Sequence, residues 1–260
     1  YRGSTGQVVT LSVISSAGRR LFGRPLVDGE IAAYQKVYAA ARTRGALHEG
    51  ALQQVLVALL ASAQFLYRME FPVGAPGTQP LGPYEVASRL SYLLWSSAPD
   101  DNLLNAAQAD ALAQDEQLTA QVTRMWDDPK SQRFVANFAG QWLGARRLLT
   151  HFASPDVYPE WTPEVAGAAA GEIYAYFDDF LRQDLDFSGF YTSRTHFANA
   201  SLGKLYGVDV SGSELQRINL QGERQGLLGL VGFLTWSSVD RRTSLPLRSE
   251  ERRVRKECRP

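Results

Sequence analysis

Residues 134–143 read FVANFAGQWL and combine a helical spacing of apolar side chains with two amides. At about 100° per residue, one face of a helix collects large side chains together with an amide, and Asn137 lies at the border of that face. The members of the face are Phe134, Phe138, Gln141, Trp142 and Ala145. A buried amide costs free energy unless it is hydrogen-bonded. The segment therefore predicts a buried helix whose amides are either a structural hydrogen-bond hub or part of a functional site.

The segments on both sides of this helix also show helical periodicity. Tyr84 to Trp95 presents apolar side chains at helical spacing, and Thr162 to Gln183 begins with a capping signal and is strongly amphipathic. Leu215 to Leu220 has the pattern of a short strand. Because the sequence shows neither a repeat nor an alternation of strands with helices, it predicts an all-α fold. We expect a helical hairpin followed by an irregular multi-helix bundle, with little or no strand.

The N-terminal part of the sequence predicts the helical hairpin. Its first helix begins at Asp28, an N-cap residue, and ends at Gly45, while its second helix covers about Leu47 to Met69. Residues 73–83 are rich in proline and glycine and predict a linker. The hairpin and the residues before it therefore form a separate module.

The composition indicates a folded protein. It shows neither a strong net charge nor an apolar run long enough to span a membrane. The 260 residues are 45% hydrophobic and 11% aromatic, which suffices for one large or two modest domains. Basic and acidic residues number 27 each, so the charge does not favour nucleic acid as a partner. The longest apolar run, around Val55 to Ala63, is too short for an integral membrane segment. Since the chain begins at Tyr1 without a signal peptide, we expect a fragment that lacks its targeting segment.

Residues 249–260, SEERRVRKECRP, form a dense charge run that follows an apolar segment without a turn or a cap. We interpret this run as a non-native tail that resembles translated adapter sequence; the alternative is a natural, solvated basic tail. It contains the single cysteine, Cys258, so neither a disulfide nor a cysteine metal site is expected elsewhere. The run holds five basic and three acidic residues, which leaves 22 basic and 24 acidic residues and a net charge of −2 in the remainder.

Glu172 is the leading candidate for acid–base chemistry, because it lies among the apolar side chains of the amphipathic helix. A buried and unpaired carboxylate has a raised pKa and can serve as a general acid or base. The alternative is a structural ion pair with an arginine such as Arg89. We favour the structural alternative, since no nucleophile or metal ligand accompanies Glu172 in the sequence.

Three further polar residues join Glu172 and Arg89 in the candidate catalytic set. Gln141 is expected to belong to a buried polar network with these two residues. Asn199 can cap a short helix, and Arg224 can pair with an acid where the chain enters an apolar segment. Each of these roles is structural unless residues beyond this chain complete a site.

The histidines do not predict a metal site. His48, His151 and His196 are far apart in the sequence, and no glutamate is followed by a histidine three residues later. We expect His196 to be a loop or capping residue.

The aromatic residues are compatible with a binding function. Trp161 and Trp236 lie near the ends of predicted elements, so they are the tryptophans that we expect to reach the surface. An aromatic side chain in such a position can stack on a sugar.

Several separated segments resemble a known series of bacterial domains, in the same order. GRRLFGRPL and LVALLASAQFLYRMEF resemble the domain of unknown function 1595, and YEVASRLSYLLWSSAPDDNLL, FVANFAGQWL and HFANASLGKLYGV resemble the domain of unknown function 1592. RQGLLGLVGFLTWSSVDRRTSLPLR resembles the start of the domain of unknown function 1588. These domains occur in exported bacterial multidomain proteins, often with c-type cytochrome modules.

The resemblance implies a domain organisation and a cellular setting. The implied parts are a first domain at 1–72, a linker at 73–83, a second domain at 84–210, the truncated start of a third at 211–248, and the tail. The setting is extracytoplasmic, in the periplasm or at the cell surface, near redox proteins. No cofactor is expected in this chain, because the haem signature Cys-x-x-Cys-His is absent; haem would belong to modules outside it.

Three functional hypotheses follow. The first is a helical module that acts in scaffolding or assembly of an extracytoplasmic redox system, with the other modules of its polypeptide or a cytochrome-like protein as partner. The second is an extracytoplasmic oxidative or polymer-degrading enzyme with a site around Glu172 that is incomplete here. The third is a carbohydrate- or surface-binding module. The sequence leaves open whether the protein is an enzyme.

Overall fold

The computed structural model describes residues 2–68, 70, 80–222, 224–239 and 242–243. The chain divides into two compact units, Tyr1–Ser131 and Gln132–Pro260. Most of the predicted linker at 73–83, and the whole of 249–260 with Cys258, lie outside the described residues. The domain boundaries implied by the resemblance stay predictions.

The first unit is built from helices alone in the part that the structure describes. Its α-helices are α1 (Arg2–Phe22), α2 (Asp28–Thr43), α3 (His48–Leu60), α4 (Ala63–Leu66), α5 (Pro83–Trp95), α6 (Asp101–Gln108) and α7 (Asp115–Asp127). Short 3₁₀ helices cover Ala111–Ala113 and Pro129–Ser131.

The predicted hairpin is present as α2 and α3, but it does not stand alone. Helix α1, which the sequence pattern did not predict, packs against both. Ile14 from α1 and Val55 and Leu59 from α3 form a common buried cluster. The hairpin therefore buries its apolar stripe against a third helix. A helix pair with an apolar stripe needs such a partner, because the stripe must be removed from water.

Helices α5 to α7 form a second cluster around Trp95 and Met125, both of which are fully buried. The indole N–H of Trp95 donates to the Met125 carbonyl oxygen at 2.8 Å, so the one polar atom of the ring is satisfied. Asp100 caps α6 by accepting from the Leu103 N–H at 2.9 Å.

The second unit contains five α-helices and four short strands among its described residues. The helices are α8 (Gln132–Trp142), α9 (Ala145–Leu148), α10 (Pro163–Arg182), α11 (Ala200–Tyr206) and α12 (Val231–Trp236). The strands are β1 (Thr195–Ala198), β2 (Gln216–Asn219), β3 (Ser238–Val239) and β4 (Arg242–Thr243), with 3₁₀ helices at Phe187–Tyr191 and Leu227–Gly229.

Helix α10 forms the centre of the second unit. Thr162 caps its N-terminus, as predicted, by accepting from the Val165 N–H. Packed against it are α8, α9, α11, α12 and β1. Its buried side chains are Val165, Ala166, Ala169, Ala170, Glu172, Ile173, Tyr176, Phe177 and Phe180.

The predicted inward face of α8 is wrong for Phe138, Gln141 and Trp142, although Phe134 packs against the core and Ala145 is fully buried. The helix buries Val135, Ala139 and Gly140, whereas Phe138 and Trp142 are 45% and 47% exposed. The reason is close packing, because the face with small side chains allows α8 to approach α10. The larger rings cover the side of this contact, with Phe138 stacked on Phe177 of α10 at 5.6 Å between ring centroids.

The all-α prediction is confirmed in its main point, and the strands that do occur are minor. The predicted strand at 215–220 is β2, and it pairs in antiparallel register with β1, which was not predicted. Strands β3 and β4 form a second antiparallel pair of two residues each. No helix in the described part of the chain is both long and apolar enough to cross a membrane.

Candidate functional site

Glu172 lies at the centre of the second unit with no exposed surface. Its position follows from the amphipathic pattern, because Ala169, Ile173 and Tyr176 share its face of α10 and are also fully buried. The prediction that this carboxyl group is buried among apolar side chains is confirmed. The predicted ion pair with an arginine is wrong, because the described groups in contact with the carboxyl are the Tyr206 hydroxyl, the His196 ring and the backbone of Phe197.

Tyr206 supplies the main contact of Glu172. The hydroxyl of Tyr206 donates to Oε1 of Glu172 at 2.6 Å, and the same hydroxyl oxygen accepts from the Val231 N–H at 2.9 Å. This one hydroxyl therefore connects α10 to α11 and to the first residue of α12. The Val231 N–H is one of the unpaired donors at a helix N-terminus, so the contact also satisfies that group.

Asn199 acts on the same cluster through the backbone. Its side-chain oxygen accepts from the N–H groups of Ser201 and Leu202, which makes it the N-cap of α11, as predicted. The helix that it starts ends at Tyr206. Asn199 therefore helps to orient the helix that carries the partner of Glu172, and it does not contact the carboxyl itself.

His196 completes the buried cluster. It belongs to β1, whose alternation turns His196 and Ala198 inward, so the prediction of a loop or capping residue is wrong. Its Nδ1 lies 3.5 Å from Oε1 of Glu172, and neither side chain is exposed. Among the described residues, neither ring nitrogen of His196 has a hydrogen-bond partner. Oε2 of Glu172 has none there either.

The electrostatic state of the cluster is dominated by burial. Desolvation raises the pKa of Glu172, and the contacts with His196 and Tyr206 offset only part of that rise. Burial also raises the pKa of the Tyr206 hydroxyl, and the neighbouring Glu172 carboxylate adds to the effect. Burial thus disfavours the charged form of both groups relative to the same groups in water.

A cavity of about 250 Å³ opens in front of this cluster in the same unit. Glu172 does not line it, but Leu205 and Val231, which flank the Tyr206 hydroxyl contact, do. The full lining is His151, Ala153, Tyr158, Glu160, Trp161, Leu205, Arg224, Val231, Leu234, Thr235 and Ser238. The lining is mostly apolar, with a few polar side chains, which is typical of small-molecule sites.

Arg224 connects the cavity to the buried cluster, and His151 lies at the aromatic side of the cavity. The guanidinium of Arg224 lies 5.4 Å from the ring centroid of Tyr206. The sequence predicted that Arg224 pairs with an acid, and no such pair occurs among the described residues. His151 contacts the edge of Trp161 at 6.4 Å between centroids, and partial burial lowers the pKa of His151, which favours its neutral form.

The five candidate residues separate into two groups: three lie at or near the buried cluster, and the other two, Gln141 and Arg89, do not. Glu172 and Arg224 come together through Tyr206, and Asn199 supports the same helix. Gln141 is exposed, and its amide donates to the Asn137 carbonyl oxygen at 3.0 Å along α8. Its predicted burial in a polar network is wrong.

Arg89 is also removed from the predicted network. It lies in the first unit, where it forms a bidentate pair with Glu70 at 2.6 and 2.7 Å. Both side chains are substantially exposed, so water screens the pair and its contribution to stability is small.

Sequence reasoning missed Tyr206 and the inward position of His196. Both lie in HFANASLGKLYGV, the segment that begins at His196. Residues 195–198 read Thr-His-Phe-Ala, an order in which Phe197 is the expected inward side chain, so no local pattern indicated that His196 is buried.

Metal binding has no geometric basis in the described part of the chain. No group of three or more histidine, cysteine, aspartate or glutamate side chains there could hold an ion.

Replacing Glu172 by glutamine should change how stability depends on pH. Because the folded-state pKa of Glu172 lies above its ordinary value of 4.5, folding strengthens proton binding to this group. Its contribution is therefore fully present below pH 4.5 and is lost as the pH rises through the folded-state pKa. The amide of Glu172→Gln can still accept from Tyr206, but it does not titrate. We expect the free energy of unfolding of the variant, relative to the wild type, to increase as the pH rises above 4.5.

The measurement is urea unfolding of both proteins across this pH range. His196 and Tyr206 face the side chain at position 172 in both proteins, so the two proteins differ by the ionisable group of Glu172 alone. Parallel profiles would contradict the raised pKa.

Two family models match the chain, one after the other. Residues 10–70 match PSD5, a protein of unknown function (DUF1595), and residues 81–208 match PSD4, a protein of unknown function (DUF1592). The second match includes Glu172, His196 and Tyr206. No curated protein and no solved structure matches the chain. The third domain expected at 211–248 stays a prediction. The chain is therefore similar to two families of unknown function in succession, DUF1595 followed by DUF1592.

Proposed function

We propose that the chain is a non-catalytic helical part of an exported multidomain protein associated with c-type cytochromes. Its role is scaffolding or assembly in an extracytoplasmic redox system. The domain order supports this proposal, because the resemblance connects these domains with exported proteins that also carry cytochrome modules. The chain has one cysteine, so its residues do not fit covalent haem attachment, and a covalently bound haem would belong to another module or to a partner.

The observation that carries the non-catalytic role is the enclosure of Glu172. Its side chain has no exposed surface, and the hydroxyl bonded to it connects three helices. A carboxyl group that acts on a substrate must come within hydrogen-bond reach of it. Glu172 instead serves the packing of α10, α11 and α12.

The experiment is to sequence the complete gene from source DNA and to express the full-length protein with its native leader. We expect a haem-binding Cys-x-x-Cys-His motif in the same polypeptide or in an adjacent gene, and the protein in the periplasmic or surface fraction. Haem staining and cell fractionation measure both points. A cytoplasmic protein without any cytochrome partner would contradict the proposal.

A second candidate function is ligand binding, and the cavity lined by Trp161 favours it. Trp161 packs partly against the hydrophobic core and also contributes to the cavity wall. The same cavity weighs against the enzyme hypothesis built on Glu172, because this carboxyl group is not part of the lining.

Thermal unfolding with a panel of small sugars and small aromatic acids tests the binding function. We expect at least one compound to raise the melting temperature of the wild type and of Trp142→Ala, but not of Trp161→Ala. Trp142 is the matched control, since it belongs to the same unit and lies outside the cavity. A panel without any such compound would contradict ligand binding in this cavity.

A further inference from the structure

The cavity in the second unit has an aromatic wall. Trp161 and Tyr158 line it, and the imidazole of His151 stands edge-on to Trp161. Leu205 and Leu234 add aliphatic surface. Such a lining favours a ligand with a flat apolar ring, because aromatic rings stack on or pack edge-to-face against aromatic side chains.

The cavity also carries one cation without an acidic partner among the described residues. The Arg224 guanidinium lies over the Tyr206 ring, which orients it without using its five N–H donors. The fork of a guanidinium matches the two oxygens of a carboxylate. Arg224 therefore provides a preformed contact for an anionic group at the cavity wall.

The remaining polar groups are less suited to a neutral, hydroxyl-rich ligand. The hydroxyl of Thr235 donates to the Val231 carbonyl oxygen at 2.8 Å, and the hydroxyl of Ser238 donates to the Leu234 carbonyl oxygen at 2.6 Å. Both donors are thus used within the protein. Glu160 and Arg224 are both exposed, so water screens the repulsion of an anion by the first and its attraction by the second, and the fork of Arg224 rather than its charge alone favours a carboxylate.

We propose that this cavity binds a small aromatic carboxylate, with its ring against Trp161 and its carboxylate on the guanidinium of Arg224. The volume of about 250 Å³ favours a single-ring acid, since it lies below the range of roughly 300–1,000 Å³ that is usual for drug-sized ligands. The proposal rests on the ligand-binding function and names the ligand class for it.

The experiment measures the binding of benzoate to the complete chain. Binding is followed by tryptophan fluorescence and by calorimetry for the wild type, Arg224→Gln and Arg147→Gln. Arg147 is a matched control, because its guanidinium also lies 5.4 Å from an aromatic ring, that of Trp236, and it does not line the cavity. We expect Arg224→Gln to weaken benzoate binding about tenfold or more, and Arg147→Gln to leave it unchanged.

Benzyl alcohol separates the carboxylate contact from the ring contact. It retains the ring and lacks the charge, so it should bind the wild type about as weakly as benzoate binds Arg224→Gln. If that variant does not fold, Arg224→Lys keeps the charge and loses the fork, and should give an intermediate affinity.

Two results would overturn the ligand class. One is the absence of benzoate binding to the wild type, and the other is equal benzoate affinity of the wild type and Arg224→Gln. If a neutral sugar binds in a Trp161-dependent manner while benzoate does not, the ligand class fails and the binding function stands. If no compound binds, both fail.

Discussion

Gly226→Ala is expected to destabilise the second unit by about 4 kcal/mol, through backbone strain and a clash that cannot relax. Gly226 has a φ of 56° and a ψ of −165°, a combination that L residues rarely adopt. A Cβ there would lie 2.2 Å from the carbonyl carbon of Tyr191 and 2.3 Å from its oxygen. These are backbone atoms, so no side-chain rotation can relieve the contact.

The same glycine matters for the candidate site. Its N–H donates to the Ser193 carbonyl oxygen at 2.7 Å, which fixes the chain just before the 3₁₀ helix Leu227–Gly229 and α12. Further along this segment, the N–H of Val231 donates to the hydroxyl oxygen of Tyr206. Urea unfolding measures the loss of stability, and amide exchange over residues 132–239 shows whether α12 opens first.

Gly207→Ala is the matched control for this prediction. Gly207 has a φ of 71°, and an added Cβ would meet nothing within 4 Å. We expect a loss of about 1 kcal/mol, from the left-handed conformation alone. Equal losses in the two variants would show that the contact with Tyr191 does not matter.

Tyr206→Phe is expected to cost about 3 kcal/mol, because one hydroxyl satisfies two buried partners. Its removal leaves Oε1 of Glu172 without its donor and the Val231 N–H without its acceptor. The phenyl ring remains, so core packing and the stacking of Arg224 are retained. The free energy of unfolding from urea titration measures the effect.

Tyr176→Phe is the control for this second variant. Tyr176 is also a buried tyrosine of the second unit, and its hydroxyl donates to the Phe190 carbonyl oxygen at 2.8 Å. Its contacts, the Phe190 carbonyl and the Ser193 hydroxyl, are both neutral, and neither is a buried carboxyl group, so its removal should cost about 1 kcal/mol. A loss in Tyr206→Phe no larger than that in Tyr176→Phe would refute the connecting role of Tyr206.

A double-mutant cycle with Glu172→Leu, which unlike Glu172→Gln leaves no oxygen to accept from Tyr206, separates the carboxyl contact from the contact with Val231. If Tyr206 acts mainly through Glu172, the losses of the two single variants should not add in the double variant. Additive losses would show that the Tyr206 hydroxyl stabilises the protein through the Val231 N–H alone.

Helix ends were predictable where a side chain caps the backbone locally. Asp100, Thr162 and Asn199 each accept from an N–H group two or three residues ahead, so their effect is contained in a few consecutive residues. The burial of Glu172 was predictable for a similar reason. Its neighbours at helical spacing are apolar, and the face of a long amphipathic helix that packs inward is clear from them.

The orientation of α8 was not predictable in this way. Periodicity gives the angle between side chains on a helix, but it does not state which face meets the next helix. The larger side chains indicated one face, and the close approach to α10 required the other, which carries Ala139 and Gly140.

Helical periodicity, local capping residues and ordered motifs were sufficient to establish a helical protein, several helix ends, a buried carboxyl group at position 172 and two domain resemblances. The partners of that carboxyl group depend on the folded chain. Tyr206 comes from 34 residues further along the sequence, and His196 reaches the cluster only because β1 pairs with β2. The cavity beside them exists only where α11, α12 and the segment before α10 meet. Contacts between distant segments have no local pattern in the sequence, because they form only when the core excludes water and brings those segments together.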